Sequence, residues 1–577
     1  MIFGLKTRLK AELQTDGAFL FALICSATLL ALFFPWERPV TANGLAPTFK
    51  NLAEAKRITF RHRSSATARK YLPETMGSGV ALFDCNGDTR LDVFFSNGAK
   101  IHDPMPKGAL PRKEGADYWN RLYRQEKDGS FTDVTVESGL KGEGYNTGVA
   151  VGDYDNDGDP DLFVGGIGGN WLYRNNGDGT FSDVTDRAGV KGSGWASSSA
   201  FVDYDQDGFL DLVVGRYLDW SFEKDIYCGE PKVRAYCHPK YFGRIAPLLF
   251  HNERDGKFAD VTAESGLAGY LGKALGVGIA DMDRDGRTDI FIANDGIEQF
   301  LLRNQGQGKF EESAIISGVA MDQDGNSYAG MGVDVSDYNN DGLPDIVVTN
   351  LSNEVYAVYK NEGGGAFSHV SADTGVAKIT LLFSGWGLRF VDYDNDSWRD
   401  LFIVQGHVLD TIEITSPHLR YAQPPFLLRN QGGRNFTNVS AKSGDIFAQP
   451  SVGRGLAVGD IDNDGDEDVV ASVLDGPAPV YLNEGGNARG NWIILDPTGT
   501  KSNRDGIGAE ITLTTASGSQ FATVTTTSSY QSSSDHRVHF GVGKQTAIPK
   551  IEIRWPSGTV QSLEKIRVNQ ILEVVEP

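Results

Sequence analysis

The chain has 577 residues, too many for one ordinary domain, and 40% of them are apolar, enough for real cores. Its formal net charge of -22 would repel phosphates and argues against nucleic acid as a partner. Glycine is frequent, at 69 residues, and predicts many tight turns.

The N-terminus reads as an export signal. Lys6, Arg8 and Lys10 precede the apolar stretch GAFLFALICSATLLALFFPW, residues 17–36. This stretch is long for a cleaved signal and near the shortest length that spans a bilayer. Val40, Thr41 and Ala42 offer a small-residue cleavage site, so a signal peptide and a single-pass anchor helix both fit. Either way residues 1–16 stay inside and the rest is exported. The product is secreted or periplasmic if cleaved, and otherwise touches the membrane only through that helix.

From residue 84 onward one acidic string recurs seven times, as in DYDNDGDPD from Asp153. Its carboxylate or amide oxygens fall at positions one, three, five and nine. They are Asp84, Asn86, Asp88 and Asp92; Asp153, Asp155, Asp157 and Asp161; Asp203, Asp205, Asp207 and Asp211; and Asp281, Asp283, Asp285 and Asp289. They continue as Asp337, Asn339, Asp341 and Asp345; Asp392, Asp394, Asp396 and Asp400; and Asp460, Asp462, Asp464 and Asp468. Oxygens at alternate positions of a tight turn converge on one cavity, which suits a hard cation such as Ca²⁺. Up to seven ions are expected. Histidine and cysteine are absent from the pattern, which disfavours zinc and copper. An EF-hand would need a Glu at position twelve, where Phe95, Val164, Val214, Ile292, Val348, Ile403 and Ala471 stand. Position six is Gly in five copies but Thr89 in the first and Ser397 in the sixth, which weakens those two loops.

The flanks alternate like strands, GVAVGD before and DLFVGG after, so each loop joins two strands of a hairpin. A second marker, GSFTDVTVESGL at Gly129, recurs at Gly179 and Gly256 and more weakly around Phe310, Phe367 and Phe436. Each repeat thus predicts four strands, the size of a propeller blade. After Asp460 no Phe marker follows, but FKNLAEA at Phe49 resembles one. The expected fold is all-β: a seven-bladed β-propeller over residues 45–486 whose N-terminal strand completes the last blade. A small β-sandwich-like domain follows at 487–577, rich in Thr, Val and Ile with Gly turns.

The repeat resembles the FG-GAP, or VCBS, repeat of integrin-α-type propellers. RDGIGAEITL, YQSSSDHRVHFGVG and WPSGTVQSL, from Arg504, Tyr530 and Trp555, resemble the ASPIC/UnbV domain. Together they are similar to the cartilage-acidic-protein-like family of exported proteins.

Repeats one, three and six are longer than the others. The extra segments, residues 101–119, 216–244 and 406–425, follow the second strand of the blade and should rise opposite the acidic loops. They are rich in Tyr, Trp, Arg, His and Pro, and the lead-in at 61–79 reaches the same face. Cys228 and Cys237 lie in the longest; a disulfide is expected, with two separate thiols the alternative. Arg216, Lys232, Arg234, Lys240 and Arg244 make the same segment basic. The favoured function is binding, adhesion or scaffolding, with an unidentified protein or glycan on this face. The alternative is an enzyme using His62, Glu74, Arg216, Tyr236, His238 and His407 there, with or without a metal. No nucleophile motif and no fixed spacing among the six supports a mechanism.

Overall fold

Seven sheets share one plan in the computed structural model, which describes residues 46–577. The expected N-terminal helix at 17–36 and the cleavage site lie outside those residues. Among the described residues no helix is long and apolar enough to cross a membrane. The structure is all-β apart from one-turn helices.

Each sheet is an antiparallel meander of four strands in which the acidic loop joins the first to the second. The first strands are Val80–Phe83, Tyr145–Gly152, Ala196–Val202, Ala274–Ala280, Val333–Ser336, Gly385–Val391 and Gly453–Gly459. They abut in chain order, and the seventh abuts the first. They are buried throughout or nearly so, hence their runs of Val, Ala and Gly. In the seventh sheet the fourth strand is Thr48–Asn51, which pairs with Val480–Glu484 and sets Phe49 opposite Asn483.

The Phe markers form the outer strands, such as Phe131–Asp133 and Phe181–Asp183. Their DVT string has a local role. The Thr135 hydroxyl accepts the Leu122 amide at 3.0 Å, while Asp133 Oδ1 accepts the Thr135 amide at 3.0 Å. The turn of helix that follows ends on Gly139 at φ 81°, a left-handed cap.

One side-chain bond ties each sheet to its predecessor. An Asn or Gln at or next to the end of the third strand donates to the carbonyl of the residue after the first Asp of the preceding acidic loop. Asn175 reaches Cys85 at 3.0 Å, Asn252 reaches Tyr154 at 2.8 Å, and Asn304 reaches Tyr204 at 2.7 Å. Asn361, Asn430 and Asn483 repeat the bond to Met282, Tyr338 and Tyr393. In the first sheet Gln125 takes the role and donates to Ile461 of the seventh at 2.8 Å.

Residues from Asn491 onward form a three-stranded and a four-stranded sheet packed around Ile493, Leu495, Ile511, Leu513, Phe540, Ile551 and Trp555. From between them a hairpin, Thr527–Ser528 and Ser532–Ser533, enters the middle of the seven sheets, where Ser533 pairs with Ala81. Its serines satisfy amides of the first strands: Ser532 Oγ accepts from Val80 at 3.2 Å and Leu456 at 3.1 Å, Ser529 Oγ from Leu388 at 3.2 Å, and Ser533 Oγ from Val151 at 3.2 Å. Contact is close enough that a Cβ on Gly79 would stand 1.7 Å from the Gln531 carbonyl oxygen.

Candidate functional site

The acidic loops repeat in geometry as well as in sequence. In the second, Asp153 cages its own turn, accepting the Asp157 and Gly158 amides at 3.1 and 2.7 Å. Asp161 binds neighbouring strands through the Asn175 and Tyr154 amides, at 2.8 and 3.1 Å. Positions one and nine therefore organise the loop before any ion arrives. Two residues per loop are left-handed. Position six holds Gly158 at φ 98°, with Thr89 at 67° and Ser397 at 80° in the divergent copies. Position four is left-handed too, at Asn156, Gln206, Arg284, Asn340, Asn395 and Asn463, and it is there that the first loop has its glycine, Gly87.

In the second, third, fourth and sixth loops, three carboxylates offer oxygens within 4.8 Å of one another. Asn86 Oδ1, Asp155 Oδ1, Asp394 Oδ1 and Asp400 Oδ2 are buried and accept no hydrogen bond among the described residues. Burial pushes Asp153 up to about 8, Asp289 to about 8 and Asp345 to about 9. Converging, partnerless, all-oxygen donors of this kind fit a hard divalent cation, which would restore the charged form. Basic side chains from the third strands lie beside other oxygens of the same loops: Arg429 Nη2 is 2.9 Å from Asp394 Oδ2 and 2.8 Å from Asp396 Oδ2, and His251 Nδ1 is 3.1 Å from Asp211 Oδ1.

The C-terminal domain lies against these loops. Asp505 accepts the Asp153 amide at 2.7 Å, Asn156 accepts the Arg504 amide at 2.8 Å, and Arg399 donates to the His539 carbonyl at 2.8 Å. A Cβ on Gly465 would lie 1.8 Å from Trp492, so the seventh loop needs glycine for contact as well as for its φ of 95°.

Away from the loops, the lead-in and all three insertions share one apolar cluster. Tyr71 and Met76 meet Ile101 and Met105, Trp220 and Tyr236, with Val408 and Leu409 packed against them. Tyr530, at the tip of the C-terminal hairpin, reaches the same cluster; its hydroxyl donates to Met76 at 3.0 Å and its ring meets Trp386 edge-on at 4.8 Å. Beside Trp386 the guanidinium of Arg454 is fully buried and donates only to carbonyls, those of Thr75, Gly406, Gly453 and His407. Cys228 and Cys237 form a disulfide in the longest insertion.

A cavity of about 180 Å³ opens in this cluster, lined among others by Tyr217, Tyr236, His238, Asp295, Glu354, Trp386 and His407. Three of the six enzyme candidates therefore meet: Tyr236, His238 and His407. Glu74 sits behind Tyr236, whose hydroxyl is 3.5 Å away, and burial raises its carboxyl to about 7. Arg216 is elsewhere, bound to the Ala246 carbonyl at 2.6 Å. His62 does not line the cavity; it lies buried beside Asp475, and burial lowers it to about 4. The two lining imidazoles are not poised bases. His238 Nδ1 accepts the Lys240 amide and His407 Nδ1 the Leu409 amide, at 3.1 and 3.0 Å, so each neutral ring carries its proton on Nε2.

FG-GAP-like repeats match residues 84–164, 153–214, 281–348 and 337–403, and the ASPIC and UnbV domain matches 499–577. Cartilage acidic protein 1 of Homo sapiens is 27% identical over 327 residues, covering 55% of this chain and 46% of that protein. That of Mus musculus is 26% identical over 326 residues, covering 55% and 47%. The repeats, the C-terminal domain and these relatives all match the cartilage-acidic-protein-like family. The chain spans about half the length of the curated relatives it matches. Among solved structures, YCF48 bound to D1 peptide aligns over 74% of this chain and 96% of that one, at 8% identity and a TM-score of 0.39.

The seventh acidic loop lies beyond the matched repeats, yet Asp460 accepts the Asp464 and Gly465 amides at 3.0 and 2.8 Å like its counterparts. Sequence reading missed Asp295, Glu354 and Trp386, which stand outside every motif. It took YQSSSDHR as a family marker, although three serines beside a buried Tyr signal a polar strand seeking backbone partners. The basic insertion is also less free than it reads, since Arg234 pairs with Asp225 at 2.9 Å and Arg244 with Glu298 at 2.6 Å.

Proposed function

We propose that this chain is an exported, calcium-binding propeller of seven blades, closed by its N-terminal strand, that works as a binding or scaffold module. Ca²⁺ is held by the acidic loops and stiffens the ring. The partner, a protein or glycan, docks on the face that carries the insertions. The observation that carries this reading is the seat of the C-terminal domain: it lies over the acidic loops and leaves the insertion face as the open one. Kinship with proteins named for cartilage supports an extracellular setting. Tyr227 and Tyr241, 53% and 57% exposed on the longest insertion, are the anchors offered to a partner. Replacing both, with Lys232, by Ala should cut capture of the partner by calcium-loaded protein at least about tenfold while leaving melting unchanged. Binding that survives this triple change, but is lost on substituting exposed Val560 and Val575 of the C-terminal domain, would place the partner on the other side.

A further inference from the structure

The cavity among the insertions has walls and charge that select a ligand class, which deepens the reading of this face as the binding face and rests on it. Its lining is largely apolar and aromatic: Leu72, Met76, Tyr217, Tyr236, Met331 and Trp386. Into that lining project two carboxylates, Asp295 and Glu354. Asp295 is only 8% exposed. Its Oδ2 accepts the Tyr217 hydroxyl at 2.5 Å, and its Oδ1 accepts no hydrogen bond among the described residues. Glu354 accepts the Ala329 amide at 2.9 Å, and Ala329 pairs with Asp295 across the strands, so the two acids are neighbours. Among the described residues neither has a basic side chain within ion-pairing distance. Lys273, whose charge partly offsets that of Asp295, donates instead to the Pro239 carbonyl at 2.8 Å, and Arg454 is engaged by carbonyls. Two carboxylates held in apolar surroundings without a direct ion pair are costly, and a cation that brings its own apolar body removes that cost.

We infer that this cavity binds a small organic ammonium ion, its charged end against Asp295 and Glu354 and its apolar body against Tyr217, Tyr236 and Trp386. The volume of about 180 Å³ is near that of cavities known to take one benzene ring (about 150 Å³), which sets the size of the probe. Burial raises both carboxyls, and Asp295 adds to the shift of Glu354, so the site is strained in the direction that a bound cation relieves.

The test is calorimetric titration of the full, calcium-loaded chain with three probes of one shape: benzylammonium, benzyl alcohol and benzoate. Benzylammonium should bind at least about tenfold more tightly than either of the others, an advantage that Glu354→Gln and Asp295→Asn should each reduce several-fold. Equal binding of the alcohol, preference for benzoate, or no binding of the ammonium overturns the inference, and these results need no variant to fold. Undiminished binding by the double variant also overturns it. Partner capture by the same preparations is read separately. Absence of amine binding by the unsubstituted chain, with its partner capture intact, would sink this inference alone; amine binding by that chain without capture would sink the reading of the face.

Discussion

The two ends of the seven sheets are built by opposite rules. On one, seven copies of a nine-residue loop repeat their turn, their left-handed positions and their cage of amides, and a second domain covers them. On the other, a lead-in and three insertions that resemble neither the repeat nor one another converge on a single apolar cluster. Repetition suits a scaffold, because the same local solution must serve each sheet in turn. Specificity needs what repetition cannot supply, and here it resides where the repeat is broken.

The hairpin of the C-terminal domain connects the faces, and removing its tip should have the largest effect. Tyr530→Ala deletes a fully buried ring between Trp386 and Met76 and should cost about 3–5 kcal/mol in chemical denaturation. A cost below 1 kcal/mol would mean the faces fold independently.

Chelation separates them next. Each calcium site saturated to about 100 times its Kd adds about 2.7 kcal/mol, so excess chelator should lower the melting temperature sharply while leaving benzylammonium binding at low temperature in place. The pH sign is fixed by burial. Asp153, Asp203 and Asp289 have folded values of about 8, 7 and 8 against 3.8. Between pH 4 and 8 the unfolded chain loses these protons first, so ion-free protein should become less stable as pH rises. Calcium, which binds the charged form, should therefore raise the melting temperature more at pH 8 than at pH 5. A calcium effect that shrinks with rising pH would remove these carboxylates from the ligand set.

Within the repeating face the copies should differ slightly. Asp207 has a side chain 12% exposed and Asp88 one 24% exposed, in a loop already carrying Thr89 at φ 67°. Asp207→Ala should therefore destabilise the calcium-loaded protein more than Asp88→Ala, by about 1 kcal/mol. Equal effects would show that the first loop is as sound as the third. The smallest expected change is a gain of two hydrogens in the Cys228–Cys237 peptide on reduction, read by mass spectrometry.

What the sequence made legible follows the same division. The strand pairs were readable because the acidic loop fixes where one strand stops and the next begins. Phe49 could be placed because its string copies Phe131 and its neighbours. The bonds from Asn175, Asn252 and Asn304 were equally repetitive but silent, since an Asn before a Gly-rich turn reads as turn chemistry alone. The lining of the cavity was not legible, because Asp295 and Glu354 lie 59 positions apart in unremarkable strings and meet only through strand pairing. The six candidates chosen from the insertions were polar residues in the right region. Only geometry showed that His62 and Arg216 face elsewhere and that two imidazoles are locked by backbone amides.

The serine-rich hairpin also has a consequence for biosynthesis. A ribosome releases residue 48 early and residue 484 late, and only with both can the seventh sheet gain all its strands. Even then the amides of Val80, Leu388, Leu456 and Val151 lack the partners that Ser529, Ser532 and Ser533 provide. A nascent chain halted before residue 524 would lack the hairpin that provides them. Supply of those partners is thus postponed to the last tenth of translation, and premature termination there would yield a protein whose repeats are all present and whose central hairpin is missing.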